Sequence, residues 1–287
     1  MPAPVLICDP GFPVELVKDM LPDADVGPVG GAGPGVAAVI CSPDAPVTAS
    51  DIARLTDLRV IVTASVGTDH IAMDAAGERG IAVVNVPDYC VEEVSDHALA
   101  MILALRRGLV AGDRSVRAGR WEWTDVGELG RVAGTRLGVV GLGRIGRALA
   151  DKADALRMDV RHHDPFVPGS VELDELLAWA DAVSLHTPLT DDTRGMIDAR
   201  RLALMRPGAI LVNTGRGATV DRDALRKATH IRAAFDNVWE RPPAPELVSL
   251  DHLTMTPYVA WYSPLSLDEL YRSAARAVRA ALAQMII

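Results

Sequence analysis

Residues 137–146 place three glycines at the end of an apolar run: Leu137-Gly-Val-Val-Gly141-Leu142-Gly143-Arg144-Ile145-Gly146. A Gly-x-Gly-x-x-Gly between an apolar strand and a helical pattern restricts the chain to a strand–turn–helix unit whose backbone approaches an anion. Gly141 permits the tight turn, Gly143 lets a pyrophosphate reach the backbone, and Gly146 lets helix and strand pack closely. The helix start then offers its N–H groups to the anion. The next strand pattern ends at Asp164, 23 residues beyond Gly141. A carboxylate there accepts hydrogen bonds from the adenine ribose hydroxyls and repels a 2′-phosphate. The spacing therefore predicts NAD(H) over NADP(H), a preference that Arg161, His162 and His163 weaken.

Strand and helix signals alternate along the rest of the chain. Pro4–Cys8, Val36–Cys41, Val60–Thr63 and Ile81–Val86 read as strands, with a helix at Ala49–Leu58 and a Gly/Pro-rich loop over 27–35. Val91–Leu109 reads as one long helix, apolar over much of its circumference and hence buried against something large. Residues 110–134, with Trp121 and Trp123, read as irregular. Beyond Arg136 the alternation resumes, with strands at Leu137–Val140, Met158–His162, Ala182–Leu185, Ala209–Asn213 and Ile231–Phe235. Helices are read at Arg144–Ala155, Val171–Ala180, Ala199–Met205, Asp221–Ala228 and near Leu267–Met285. This punctuation implies parallel sheets covered by helices, in one or two domains.

Composition narrows the functional classes. A net charge of −9 argues against a nucleic-acid-binding surface. No apolar run reaches the ~18–20 residues of a membrane span, and the first residues lack the pattern of a secretory signal. Cys8, Cys41 and Cys90 are three widely spaced thiols, which fit neither a disulfide framework nor a zinc site. A cytoplasmic protein without a metal is expected.

Several ordered blocks carry a family resemblance: Ser65-Val-Gly-Thr-Asp-His-Ile71, Val86-Pro-Asp-Tyr-Cys-Val-Glu-Glu-Val-Ser-Asp-His-Ala-Leu-Ala100, the glycine turn, and His162-His-Asp-Pro165. Ser184-Leu-His-Thr-Pro-Leu-Thr190, Asn213-Thr-Gly-Arg-Gly217 and Thr256-Pro-Tyr-Val-Ala-Trp-Tyr-Ser263 continue the pattern. Over roughly residues 60–280 the chain resembles the D-isomer-specific 2-hydroxyacid dehydrogenases. The resemblance implies an α/β fold of two doubly wound parallel-sheet domains. Residues 1–89 plus 261–287 would form a flavodoxin-like substrate domain and 90–260 a Rossmann NAD-binding domain, with the active site in the cleft between them. Helix 91–109 would form a homodimer interface.

The implied chemistry is hydride transfer between NAD(H) and a small 2-oxo or 2-hydroxy acid. Gly141, Gly143, Arg144, Ile145, Gly146 and Asp164 match the family's cofactor positions, as do His186, Thr187, Pro188 and Thr193, and further on Thr214, Gly215 and Asp236. Arg216 occupies the position of the arginine that grips the substrate carboxylate, a task suited to a planar guanidinium. The N–H groups of Val66 and Gly67 would hold the same carboxylate, and Trp261 would line the substrate site. Two positions depart from the pattern. Tyr258 stands where the family has its acid/base histidine, and Arg241, five residues after Asp236, stands where it has the partnering glutamate; Glu240 comes one residue early. A phenol, with an ordinary pKa of about 10, can donate a proton but is a poor base near neutrality. The alternative expectation is a chain that binds NAD(H) and an anion but has lost or redirected the dehydrogenase chemistry, as a sensor, an interaction module or another kind of enzyme. His70 and His97 are expected to serve structural or wall roles, and His230 and His252 to lie in surface turns.

Overall fold

The apolar runs become short parallel strands, most of them covered on both faces, as all-parallel sheets require. A computed structural model describes residues 4–9 and 11–284. The chain divides into two units: the chain up to Cys90 together with the chain from Tyr262 onward, and Val91–Trp261.

In the first unit, β1 (Val5–Ile7), β2 (Asp25–Val26), β3 (Ala38–Cys41), β4 (Val60–Thr63) and β5 (Ala82–Asn85) form one parallel sheet in the order β2-β1-β3-β4-β5. This is the flavodoxin-like order. β3 and β4 are fully buried runs, with Val39, Ile40, Ile61 and Val62 inaccessible to solvent. The Gly/Pro-rich stretch after β2 makes one 3₁₀ turn, Val29–Gly31. Arg54 replaces the missing ladder there: its Nη2 donates to Val29 O at 2.6 Å and its Nε to Ala32 O at 3.1 Å. The last helix, Pro264–Gln284, packs on β3 and β4 and buries Leu270, Ala274, Ala275 and Val278. Met285, expected to end it, lies outside the described residues.

In the second unit, β6 (Arg136–Val140), β7 (Asp159–His163), β8 (Ala182–Leu185), β9 (Ile210–Asn213), β10 (Arg232–Phe235) and β11 (Leu253–Met255) are all parallel, in the order β11-β10-β9-β8-β6-β7. Strand order reverses at β6, with β7 on one side and β8 on the other. The crevice at the carboxyl ends of β6 and β8 is where such sheets bind ligands.

The single helix expected over 91–109 is two helices. Val91–Arg106 ends before Gly108, which takes φ 64°, and Leu109–Arg117 begins a new direction inside the stretch expected to be irregular. Glycine suits the break because its φ is left-handed; a Cβ there would also press on the end of the Leu129 side chain, 2.6 Å from Cδ2. The first helix buries Ala98, Met101, Ile102 and Leu105 against Leu137, Val139, Ile210 and Val212. Each large side chain buried there contributes roughly 1.5–3 kcal/mol. Ala100 on the same helix is exposed, so its apolar character exceeds what this unit covers.

Candidate active site

The glycine turn is built by steric contact. Gly141 has φ 89°, and a Cβ there would lie 2.9 Å from the backbone carbon and oxygen of His186. A Cβ on Gly146 would lie 2.1 Å from Gly141 O, so this glycine lets the helix start pack onto the turn. Gly143 differs: a Cβ there meets nothing within 4 Å. It precedes the helix Arg144–Ala155, and no side chain caps that helix. Arg144 and Ile145 open the helix, so the turn leaves backbone open just where an anion would approach. Asp164, beyond β7, closes the turn from the side: Oδ2 accepts from Leu142 N–H at 2.8 Å and Oδ1 from Phe166 N–H at 3.0 Å. Each oxygen retains a lone pair for a ribose hydroxyl.

The ends of β8 and β9 add two polar groups without partners. Thr187 Oγ1 and Thr214 Oγ1 are buried and make no hydrogen bond to protein. Buried hydroxyls are normally satisfied, so both call for an acceptor or donor from a ligand. Together with the open Gly143 backbone they fit NAD(H), which when bound supplies or accepts the hydride. Pro188 and Thr193 belong to the loop beside Thr187. Thr193 Oγ1 donates to Pro188 O at 2.7 Å and accepts from Thr190 N–H at 2.8 Å, closing that loop.

His186 Nε2 lies 2.9 Å from Ser184 Oγ. Desolvation pushes its imidazole down from 6.5 to about 4, so it is neutral at pH 7. The folded state therefore resists a proton that the unfolded chain accepts. This contribution to stability is complete above pH 6.5 and is lost as the pH falls toward 4. Unfolding in urea at pH 7.5 and pH 5 is expected to show a loss on the order of 2 kcal/mol that His186→Gln removes; equal pH dependence in the two proteins would refute it.

Arg216 sits in a turn made by Asn213. Its Oδ1 accepts from Gly215 N–H at 3.0 Å and its Nδ2 donates to Arg216 O at 2.9 Å. The segment after β10 lies directly on this turn. A Cβ on Gly217 would be 2.8 Å from Val238 C and 2.9 Å from Trp239 N. Asn237 Nδ2 donates to Gly215 O at 3.1 Å, and its Oδ1 accepts from Arg241 Nη2 at 3.4 Å. The Arg241 guanidinium lies 4.1 Å from the centre of the Tyr258 ring, a cation–π contact. Glu240 is committed elsewhere, with Oε1 3.1 Å from Arg222 Nη2. Trp261 Nε1 donates to Tyr258 O at 3.0 Å.

Tyr258 has φ 56°, a strained conformation for a non-glycine residue. Asp236 holds it there. Its main-chain oxygen accepts from Tyr258 N–H at 2.8 Å. Its carboxylate, 2% exposed as a residue, accepts from Thr256 Oγ1 at 2.5 Å, Val259 N–H at 2.9 Å and Ala260 N–H at 2.8 Å. The sequence placed Asp236 with the cofactor; this anchoring role had no sequence signal, because its donors lie 20 and more residues away. His97 Nε2 adds a contact to Thr256 Oγ1 at 3.1 Å. Val66 and Gly67 lie in the first unit, on a loop braced by Ser65 Oγ to Gly67 O at 2.6 Å and Asn85 Nδ2 to Val66 O at 2.7 Å. His230 and His252 bond main-chain oxygens of Leu202 and Leu225. Among the described residues no cluster of three His, Cys, Asp or Glu side chains is placed to hold a metal ion.

The family model described as the NAD-binding domain of D-isomer specific 2-hydroxyacid dehydrogenases matches residues 99–260. The chain is 39% identical to a glycerate dehydrogenase of Methylorubrum extorquens, over 76% of this chain and 74% of that one. It is 33% identical to D-3-phosphoglycerate dehydrogenase of Mycobacterium tuberculosis, over 95% of this chain but only 57% of the relative, so it spans little more than half of that protein's length. Among solved structures, D-lactate dehydrogenase from Aquifex aeolicus, complexed with NAD and lactic acid, shares a TM-score of 0.89 at 27% identity, covering 98% of this chain and 96% of that one.

Proposed function

Because the chain belongs to the D-isomer specific 2-hydroxyacid dehydrogenase family, we propose that it is an NAD(H)-dependent reductase of a small 2-oxo acid with Tyr258 in place of the usual histidine. In this reading Arg216 binds the substrate carboxylate and the Tyr258 hydroxyl donates the proton to the carbonyl oxygen. Arg241 stands beside the ring, and its charge stabilises the oxygen left when the proton departs. The observation that carries the reading is the Arg241–Tyr258 stack at 4.1 Å: the two departures from the family pattern meet as one pair. Asp164 supports NAD(H) over NADP(H). Val66, Gly67 and Trp261 are the further substrate-binding candidates, with the first unit as substrate domain.

A homodimer belongs to the same proposal. The stretch after helix Val91–Arg106 exposes Leu109 (63%), Val116, Trp121 (84%) and Trp123 (83%). The interface proposed with a second copy is helix 91–109, as the family reading implies, and these exposed apolar side chains lie at its end and beyond it in the chain.

The test follows NADH fluorescence on mixing with the protein, alone and then with glyoxylate, hydroxypyruvate and pyruvate. Enhancement on binding, followed by decay with one of the acids, is the expected result and identifies the substrate class. Enhancement with no decay for any acid would overturn the reductase reading and favour a sensor or redirected enzyme.

A further inference from the structure

The loop Glu240-Arg-Pro-Pro-Ala-Pro-Glu246 carries Arg241 and is rich in proline. Proline removes backbone donors, so side chains must hold this loop in place. Both of its terminal carboxylates converge on one nitrogen. Arg222 Nη2 lies 3.1 Å from Glu240 Oε1 and also pairs with Glu246 Oε1. Arg222 opens the helix Arg222–Lys227, which follows directly from the Arg216 turn. Between Arg216 and Arg222 the two segments are joined again, by Trp239 Nε1 donating to Val220 O at 2.9 Å. Trp239 is itself fixed by stacking on Phe235, ring centres 5.2 Å apart.

We propose that Arg222 is a positioning residue for the active site: by pinning both ends of the 240–246 loop it sets the Arg241 guanidinium over Tyr258. Arg222 thereby gives Glu240 a task in this chain that replaces the one its neighbouring position has in relatives. Arg222 and Trp239 also line an open groove of about 550 Å³ with Arg194, Arg226 and Glu246, so solvent reaches the pin and its strength is that of a half-exposed ion pair. The inference rests on the reading that Arg241 works beside Tyr258.

The experiment compares the whole protein carrying Arg222→Met, Arg222→Lys, Glu240→Gln, Arg241→Met, and Arg222→Met with Arg241→Met. Glyoxylate reduction gives KM and kcat, and calorimetric titration of the NADH-loaded protein with oxalate gives a Kd independent of turnover. Arg222→Met is expected to lower kcat for glyoxylate reduction about fivefold, the upper range for such a pair, while the KM for glyoxylate and the Kd for oxalate stay near wild type because Arg216 holds the carboxylate. The NADH Kd stays unchanged, Arg222→Lys recovers part of the loss, and Arg222→Met adds nothing once Arg241 is methionine. Glu240→Gln gives a smaller change of the same sign, and decides the matter if Arg222→Met fails to fold. A wild-type kcat in Arg222→Met, or effects that add to those of Arg241→Met, overturn the inference. A wild-type kcat in Arg241→Met would instead overturn the underlying reading, and this inference with it.

Discussion

Tyr258→Phe is expected to lower kcat for 2-oxo acid reduction by about 10²–10⁴, the contribution of a positioned general acid, or roughly 2.7–5.5 kcal/mol. The substitution removes one oxygen and little else. The ring stays, so the stack with Arg241 stays. The backbone cost of φ 56° is the same for either aromatic residue. The N–H of residue 258 still bonds Asp236 O. KM for NADH and the melting temperature should therefore hold while kcat falls. Steady-state NADH oxidation by both proteins with the same acid measures the ratio. A ratio near one would mean that another group delivers the proton, and the mechanism would lose its central residue.

Arg216→Ala is expected to lower kcat/KM by about 10²–10⁴, because removing one partner of a desolvated ion pair costs about 3–5 kcal/mol. The turn itself should survive. Its shorter hydrogen bonds use the main-chain oxygen of residue 216, which accepts from Asn213 Nδ2 at 2.9 Å and from Thr219 Oγ1 at 2.9 Å; the guanidinium's Nη1 reaches Gly215 O at 3.5 Å. NADH binding should survive as well, since the open backbone at Gly143 and the hydroxyls of Thr187 and Thr214 are unchanged. Arg216→Lys should recover little, as an ammonium cannot hold two carboxylate oxygens side by side. NADH fluorescence titration and kcat/KM, measured on one preparation, separate the two effects. Loss of NADH affinity in step with kcat/KM would show that Arg216 supports the fold of the site, not the substrate.

Much of the architecture was legible because its causes are local. The strand–turn–helix at 136–155 follows from three glycines: Gly141 and Gly146 are needed for steric reasons that the structure displays, while Gly143 leaves open space at the helix start. The inner strands were readable as apolar runs, since strands covered on both faces need no alternation. The two-residue β2 and three-residue β11 were missed: such short edge strands carry too few residues to form a pattern. The break at Gly108 was missed because apolar residues continue through it and hide the glycine whose left-handed φ ends the helix.

The candidate site divides the same way. Its candidate residues were picked out from ordered sequence blocks, including tyrosine at 258 and arginine at 241. Its wiring was not. That Glu240 turns to Arg222, that Arg241 lies on the Tyr258 ring, and that Asp236 anchors residues 256–260 depend on which strand ends lie side by side. The sequence by itself determined the kinds of residue, the parallel αβ class and the family. The tertiary structure alone decided the partners, for a physical reason: parallel strands need long crossover connections, so the groups that meet at their carboxyl ends come from stretches far apart in the chain.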